Sequence, residues 1–159
     1  MRTKNNQKGF SLIELLIVVA IILIIAAIAI PNLLRSRMAA NEASAVGSLR
    51  TINTAAVQFS TTYGIGFPSA LSDLQPAATA TSTAADLIDS VLAAGVKSGY
   101  SFTYTPGTAD ASGNINTYTL EGVPTAVGTT GQRGFFTDQS GVIRGDADAS
   151  ADVNSTPIS

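Results

Sequence analysis

From Leu15 to Ile30 the chain contains no polar residue, and the apolar run to which this stretch belongs starts at Phe10 and is broken early by one carboxylate, Glu14. Counted from Phe10 to Ile30, it reaches the roughly 20 residues that a helix needs to cross the hydrocarbon core of a bilayer. An ionised carboxylate at that depth costs about 2.5–3.5 kcal/mol on insertion scales, so Glu14 is expected to meet a positive partner. Met1 to Gly9 is short, polar and basic. Basic residues beside an apolar segment stay on the cytoplasmic side, which places the rest of the chain outside. An ordinary secretory signal fits less well: its apolar region is shorter and closes on a small-residue cleavage site, which only Ala26-Ala27-Ile28-Ala29 imitates here.

Composition narrows the chemistry. The chain has 159 residues, no cysteine and no histidine. These absences remove disulfides, thiolate metal sites, the Ser-His and Cys-His nucleophile pairs and the commonest general base. The carboxylates, hydroxyls and few amines that remain form no recognisable catalytic motif, and an enzyme is not expected. Without Arg2, Lys4 and Lys8, the basic residues are Arg35, Arg37, Arg50, Lys97, Arg133 and Arg144, against eleven acidic ones. They are too few and too scattered to track a phosphate backbone, so no nucleic-acid partner is expected.

Pro31 follows the apolar run and removes one helical hydrogen bond, which predicts a kink or local break. The helical pattern then resumes. Val46, Leu49, Ile52, Ala56, Phe59 and Tyr63 recur at spacings of three and four, opposite a polar face of Asn41, Ser44, Ser48, Thr51, Thr54 and Gln58. One spine helix of about fifty residues is expected, its first half apolar all round, its second amphipathic, and Gly64 at its end. Pro76 to Ala85 is low in complexity and reads as a solvated connection, with surface O-glycosylation as an alternative. Asp86 to Leu92 has the spacing of a short helix closed by Gly95. Alternation at Tyr100–Thr105 and Asn116–Glu121, then Arg133–Thr137 joined through the Asp138–Gly141 turn to Val142–Arg144, predicts roughly three to four antiparallel strands. So small a sheet needs a cover, and the helix stripe is the large apolar face available.

Asp146, Asp148, Ser150 and Asp152 repeat oxygen side chains at alternate positions, as in the opening of a calcium loop. Ala151 stands where the sharp turn wants glycine, and Pro157 where the bidentate carboxylate would be. No cofactor is expected. Asp138, Asp146, Asp148 and Asp152 are the residues that would hold calcium if it bound.

Gly9-Phe10-Ser11-Leu12-Ile13-Glu14-Leu15-Leu16, after the basic leader, resembles the class III signal of type IV pilins and the pseudopilins of type II secretion. The match is dense from Lys8 to Arg35, Pro31 included. Past Ser36 it is looser: Gly66 to Leu71 is similar to the turn that leaves the spine in many members, and Gly134 to Arg144 to the C-terminal hairpin of short ones. The paired cysteines of many major pilins are absent. So are aromatic residues between Phe10 and Phe59, which argues against an electron-conducting role.

The resemblance implies an α+β, pilin-like fold with a long N-terminal spine packed on a small antiparallel sheet. It divides the chain into a removed leader (1–9), a membrane or filament-core half of the spine (10–30), an amphipathic half (31–63) and a globular part (64–159) with a flexible C-terminal tail. It implies cleavage by prepilin peptidase between Gly9 and Phe10, N-methylation of Phe10, and assembly through Glu14, with Pro31 a point of local melting. The implied partners are copies of the chain itself, the peptidase, the inner-membrane assembly platform and, before assembly, the membrane. The implied location is the bacterial inner membrane, then an extracellular pilus. Physics supports the role of Glu14: an amine freed at membrane depth and a carboxylate on a neighbour each offset the other's burial, and the pair sets the register of a helix that would otherwise slide. A periplasmic pseudopilus is the alternative within the family. An anchored binding domain that never polymerises is the alternative outside it.

Overall fold

A computed structural model describes residues 9–158; the rest of the basic leader, residues 1–8, lies outside them. In order come α1 (Leu12–Tyr63), a 3-10 turn (Leu71–Leu74), α2 (Ser90–Ala93) and the strands β1 (Val96–Lys97), β2 (Tyr100–Pro106), β3 (Tyr118–Pro124), β4 (Gly134–Asp138), β5 (Arg144–Asp146) and β6 (Thr156–Pro157). The chain divides into two units, Met1–Ser36 and Arg37–Ser159.

In the first unit nearly every described residue is exposed. Helix α1 continues through Pro31 without interruption, where a break was an expected outcome. Proline supplies no amide there, but its fixed φ is helical. Two side chains add bonds to the same turns: Asn32 Nδ2 donates to the Ile28 carbonyl at 3.1 Å and Ser36 Oγ to the Asn32 carbonyl at 3.0 Å.

In the second unit the six strands pair in sequence order, every pair antiparallel. The helix stripe covers one face of this sheet. Leu49, Ile52, Ala56 and Phe59 are buried with Tyr100, Phe102, Tyr118, Leu120 and Phe135, while Val46 and Tyr63 pack at the margin. The expected α+β architecture is present, with two strands more than the upper expectation. β1 and β6 have two residues each, too short to show the alternation by which a strand is read. β5 starts two residues later than expected, because Ile143 is buried in the core and its carbonyl accepts the Ile158 amide at 2.8 Å.

The short helix also differs. Asp86 has φ 55, a left-handed conformation that no helix accommodates. Instead the Leu87 and Ile88 amides both donate to the Leu74 carbonyl, and α2 begins only after Asp89, whose carboxylate accepts the Leu92 amide at 2.9 Å. Ser48, expected on the polar face, is buried. The spine leaves through Gly64 and Gly66, both at positive φ. At Gly66 a Cβ would collide with the Ile115 carbonyl, which accepts the Phe67 amide at 2.7 Å. Residues 147–155, read as a tail, cross the outer face of the sheet. The Ala149 backbone occupies the space where a Gly134 side chain would stand, and the chain then returns as β6.

Candidate functional site

Ser11 precedes the first helical residue and Glu14 follows it by three, the spacing by which an N3 carboxylate returns to the N-cap amide. The Ser11 amide donates to Glu14 Oε2 at 3.1 Å. The expected partner of Glu14 is a cation outside its own chain. The Ser-x-x-Glu pattern was the available signal that one carboxylate oxygen is used locally. Glu14 Oε1 has no hydrogen-bond partner among the described residues, and the side chain is exposed. The carboxylate therefore completes its own helix start and leaves one oxygen exposed.

Gly9 and Phe10 precede α1 and are exposed, Phe10 to 77%. A segment with no regular structure immediately before a helix is the form in which a peptide bond is open to a peptidase. From Leu12 to Leu34 the large apolar side chains are 46–81% exposed. Among the described residues α1 is the one helix long and apolar enough to cross a membrane, and none of its most apolar window is buried within the chain. So much contiguous apolar surface requires lipid or other protein around it.

The four aspartates weighed as calcium ligands do not converge. Among the described residues no group of three or more carboxylates is placed to hold a metal ion. Each aspartate instead caps its own turn. Asp138 accepts the Ser140 amide, Asp146 that of Ala147, Asp148 the amide and hydroxyl of Ser150, and Asp152 the Asn154 amide. The Ser150 and Asn154 bonds hold the Asp148 and Asp152 carboxyls below the ordinary aspartate range.

The polar groups that hold the second unit together were not foreseen. Asn53, on α1, donates from Nδ2 to Thr137 Oγ1 at 2.9 Å and accepts the Tyr118 hydroxyl at Oδ1 at 3.0 Å. All three residues are buried, so one helical carboxamide bolts the spine to β3 and β4. Glu42 accepts the Gln132 and Arg133 amides at 2.9 and 3.2 Å, and Asn41 donates to the Thr130 carbonyl at 2.7 Å. Burial pushes the Tyr118 phenol up to about 12, and burial with the nearby Glu42 charge does the same for Tyr100.

Residues 4–30 match the family model described as the prokaryotic N-terminal methylation motif. Among curated proteins, the chain is 66% identical over 38 residues to the type IV wide pilus major component PilA4 of Thermus thermophilus, a stretch covering 24% of this chain and 29% of that protein. It is 45% identical over 58 residues to the type IV major pilin protein PilA of Myxococcus xanthus, covering 36% of this chain and 26% of that one. The chain thus spans less than a third of the length of either relative. No solved structure matches it.

Proposed function

We propose, from its N-terminal methylation motif and its likeness to two pilus proteins over the same region, that this chain is a type IV pilin, a structural subunit processed by prepilin peptidase and polymerised into a surface pilus. The observation that carries the reading is the exposed apolar first half of α1 with Glu14 at its start. In a bilayer, lipid covers that surface. In a filament, the same segments of neighbouring subunits cover it, and the exchange needs no refolding of the second unit.

Cleavage between Gly9 and Phe10 removes the basic leader and leaves an amine on Phe10, which is then N-methylated. Glu14 Oε1 of an incoming subunit accepts from such an amine. Pairing lowers the cost of both charges, and misregistry by one helical turn leaves both unpaired. Pro31 adds a place where α1 can lengthen locally during assembly, since no amide there donates to the turn below. The role is structural, without a chemical step.

Both relatives are named as pilus proteins, which favours a pilus over a secretion pseudopilus. The test is mass spectrometry of the mature N-terminus combined with electron microscopy of sheared surface material. A methylated Phe10 and long fibres lost on deletion are expected, and Glu14→Ala should leave processed protein in the membrane with few fibres. An unprocessed leader, or full activity of Glu14→Ala without fibres, would refute the reading. Loss of protein secretion in a strain that never made fibres would assign the chain to a pseudopilus instead.

A further inference from the structure

A filament requires a heterologous contact, in which one face of a subunit meets a different face of the next. The second unit carries two faces that match in this sense. The first is an open cavity of about 570 Å³ on the sheet face turned away from α1, lined by Thr105, Thr119, Phe136, Val153 and the carboxylates Asp138 and Asp152. Its side of the sheet follows from register. Leu120 pairs with Thr137, which bonds to the spine through Asn53, so Thr119, Phe136 and Asp138 point outward. Glu121, opposite Phe136, shares that face. None of these three carboxylates has a cationic partner among the described residues, where the one salt bridge joins Lys97 to Asp89. Arg144, also opposite Phe136, is held by the Ser155 carbonyl at 3.2 Å.

The second face is the solvent side of α1. Arg50 and Thr54 line two shallow grooves there, one bounded by Leu87 and the other by Val57 and Gly141. Arg50 is exposed and pairs with no carboxylate among the described residues, and Val57 is 53% exposed. Lys97 is engaged by Asp89 and Arg133 lies 5.5 Å from the centre of the Phe135 ring. Arg37 is exposed but borders none of these grooves. One face thus carries unpaired anions around the exposed Val153, with Phe136 buried beneath, and the other is a largely polar ridge with an unpaired cation and one exposed apolar side chain, Val57.

We infer that a second copy of this chain docks its Arg50–Val57 ridge into the Phe136–Val153 cavity of its neighbour, with Arg50 meeting Asp138 and Asp152. This rests on the polymerisation proposed above and adds the contact between the second units. Because the chain has no cysteine, the full-length double variant Val57→Cys with Val153→Cys reports the contact directly. A disulfide forms only where two Cα atoms come within about 7 Å.

Oxidised sheared fibres of the double variant should run as a ladder of dimers, trimers and higher species, and each single variant as monomer. As a second measurement, Arg50→Glu should lower fibre yield about tenfold, and combining it with Asp138→Arg should recover most of the loss. Normal fibres without a ladder would overturn this inference and leave polymerisation standing. Dimers from Val57→Cys alone would overturn it in favour of a two-fold contact. Absence of fibres from the unmodified chain would overturn both.

Discussion

Replacing Asn53 by alanine strands two buried hydroxyls at once. The Tyr118 hydroxyl and Thr137 Oγ1 lose their Asn53 bonds of 3.0 and 2.9 Å, and the two residues are 1% and 0% exposed. An unsatisfied buried hydroxyl costs about 1–3 kcal/mol, so the pair predicts a loss of about 2–6 kcal/mol. Truncation alone does not separate this from lost packing, and a double-mutant cycle does. In the parent, Tyr118→Phe leaves Asn53 Oδ1 without its donor and should cost about 1–2 kcal/mol. In the Asn53→Ala background it removes an already orphaned hydroxyl and should be neutral or stabilising. The coupling energy is then about 2 kcal/mol. Urea unfolding of the full chain in detergent micelles, followed by tyrosine fluorescence, reads all four corners. If Tyr118→Phe cost the same in both backgrounds, the carboxamide would not be the bolt between helix and sheet.

Gly66→Ala meets both a left-handed backbone, φ 82, and the Ile115 carbonyl; it should destabilise by about 2 kcal/mol or more and accelerate proteolysis near Ile115. Tyr100 and Tyr118 ionise near 12 when folded but near 10 when unfolded. Their stabilisation is intact below pH 10 and is lost as the pH rises from about 10 to about 12, because the unfolded state gives up its protons first. Urea midpoints across that window should fall steeply, less so in Tyr118→Phe. Asp89, held below its ordinary range by the Lys97 bond and then the Leu92 amide, works in the opposite direction: its contribution is lost as pH falls below about 4. Asp89→Ala should cost about 1 kcal/mol at neutral pH, mainly through the lost helix cap, while Lys97→Ala should cost less.

Much of this protein is legible in one dimension because its governing signals are local. The apolar run, the lone Glu14 and the basic leader need no partner to be read, and the spacing of Leu49, Ile52, Ala56 and Phe59 announces the face that the sheet covers. Tyr100 and Phe102 alternate with hydroxyl residues and are buried on the face toward the spine. The Ser11–Glu14 cap is equally local, with Ser-x-x-Glu as its signal.

What sequence patterns could not supply are relations between residues far apart along the chain. Asn53 reads as a polar residue on a helix until residues 65 and 84 positions away close around it. β1 and β6 exist only because longer neighbours offer an edge to pair with. Asp138 and Asp152 look like fragments of an ion loop, yet the fold sets each to capping its own turn and brings both to the rim of one cavity. Hydropathy, charge and 3.6-residue spacing act along the chain, so the exposed apolar helix and its carboxylate are already specified there. The tertiary structure alone decided which polar groups are buried in pairs and which charges are left on opposite faces. Burial and pairing depend on what a distant segment brings alongside.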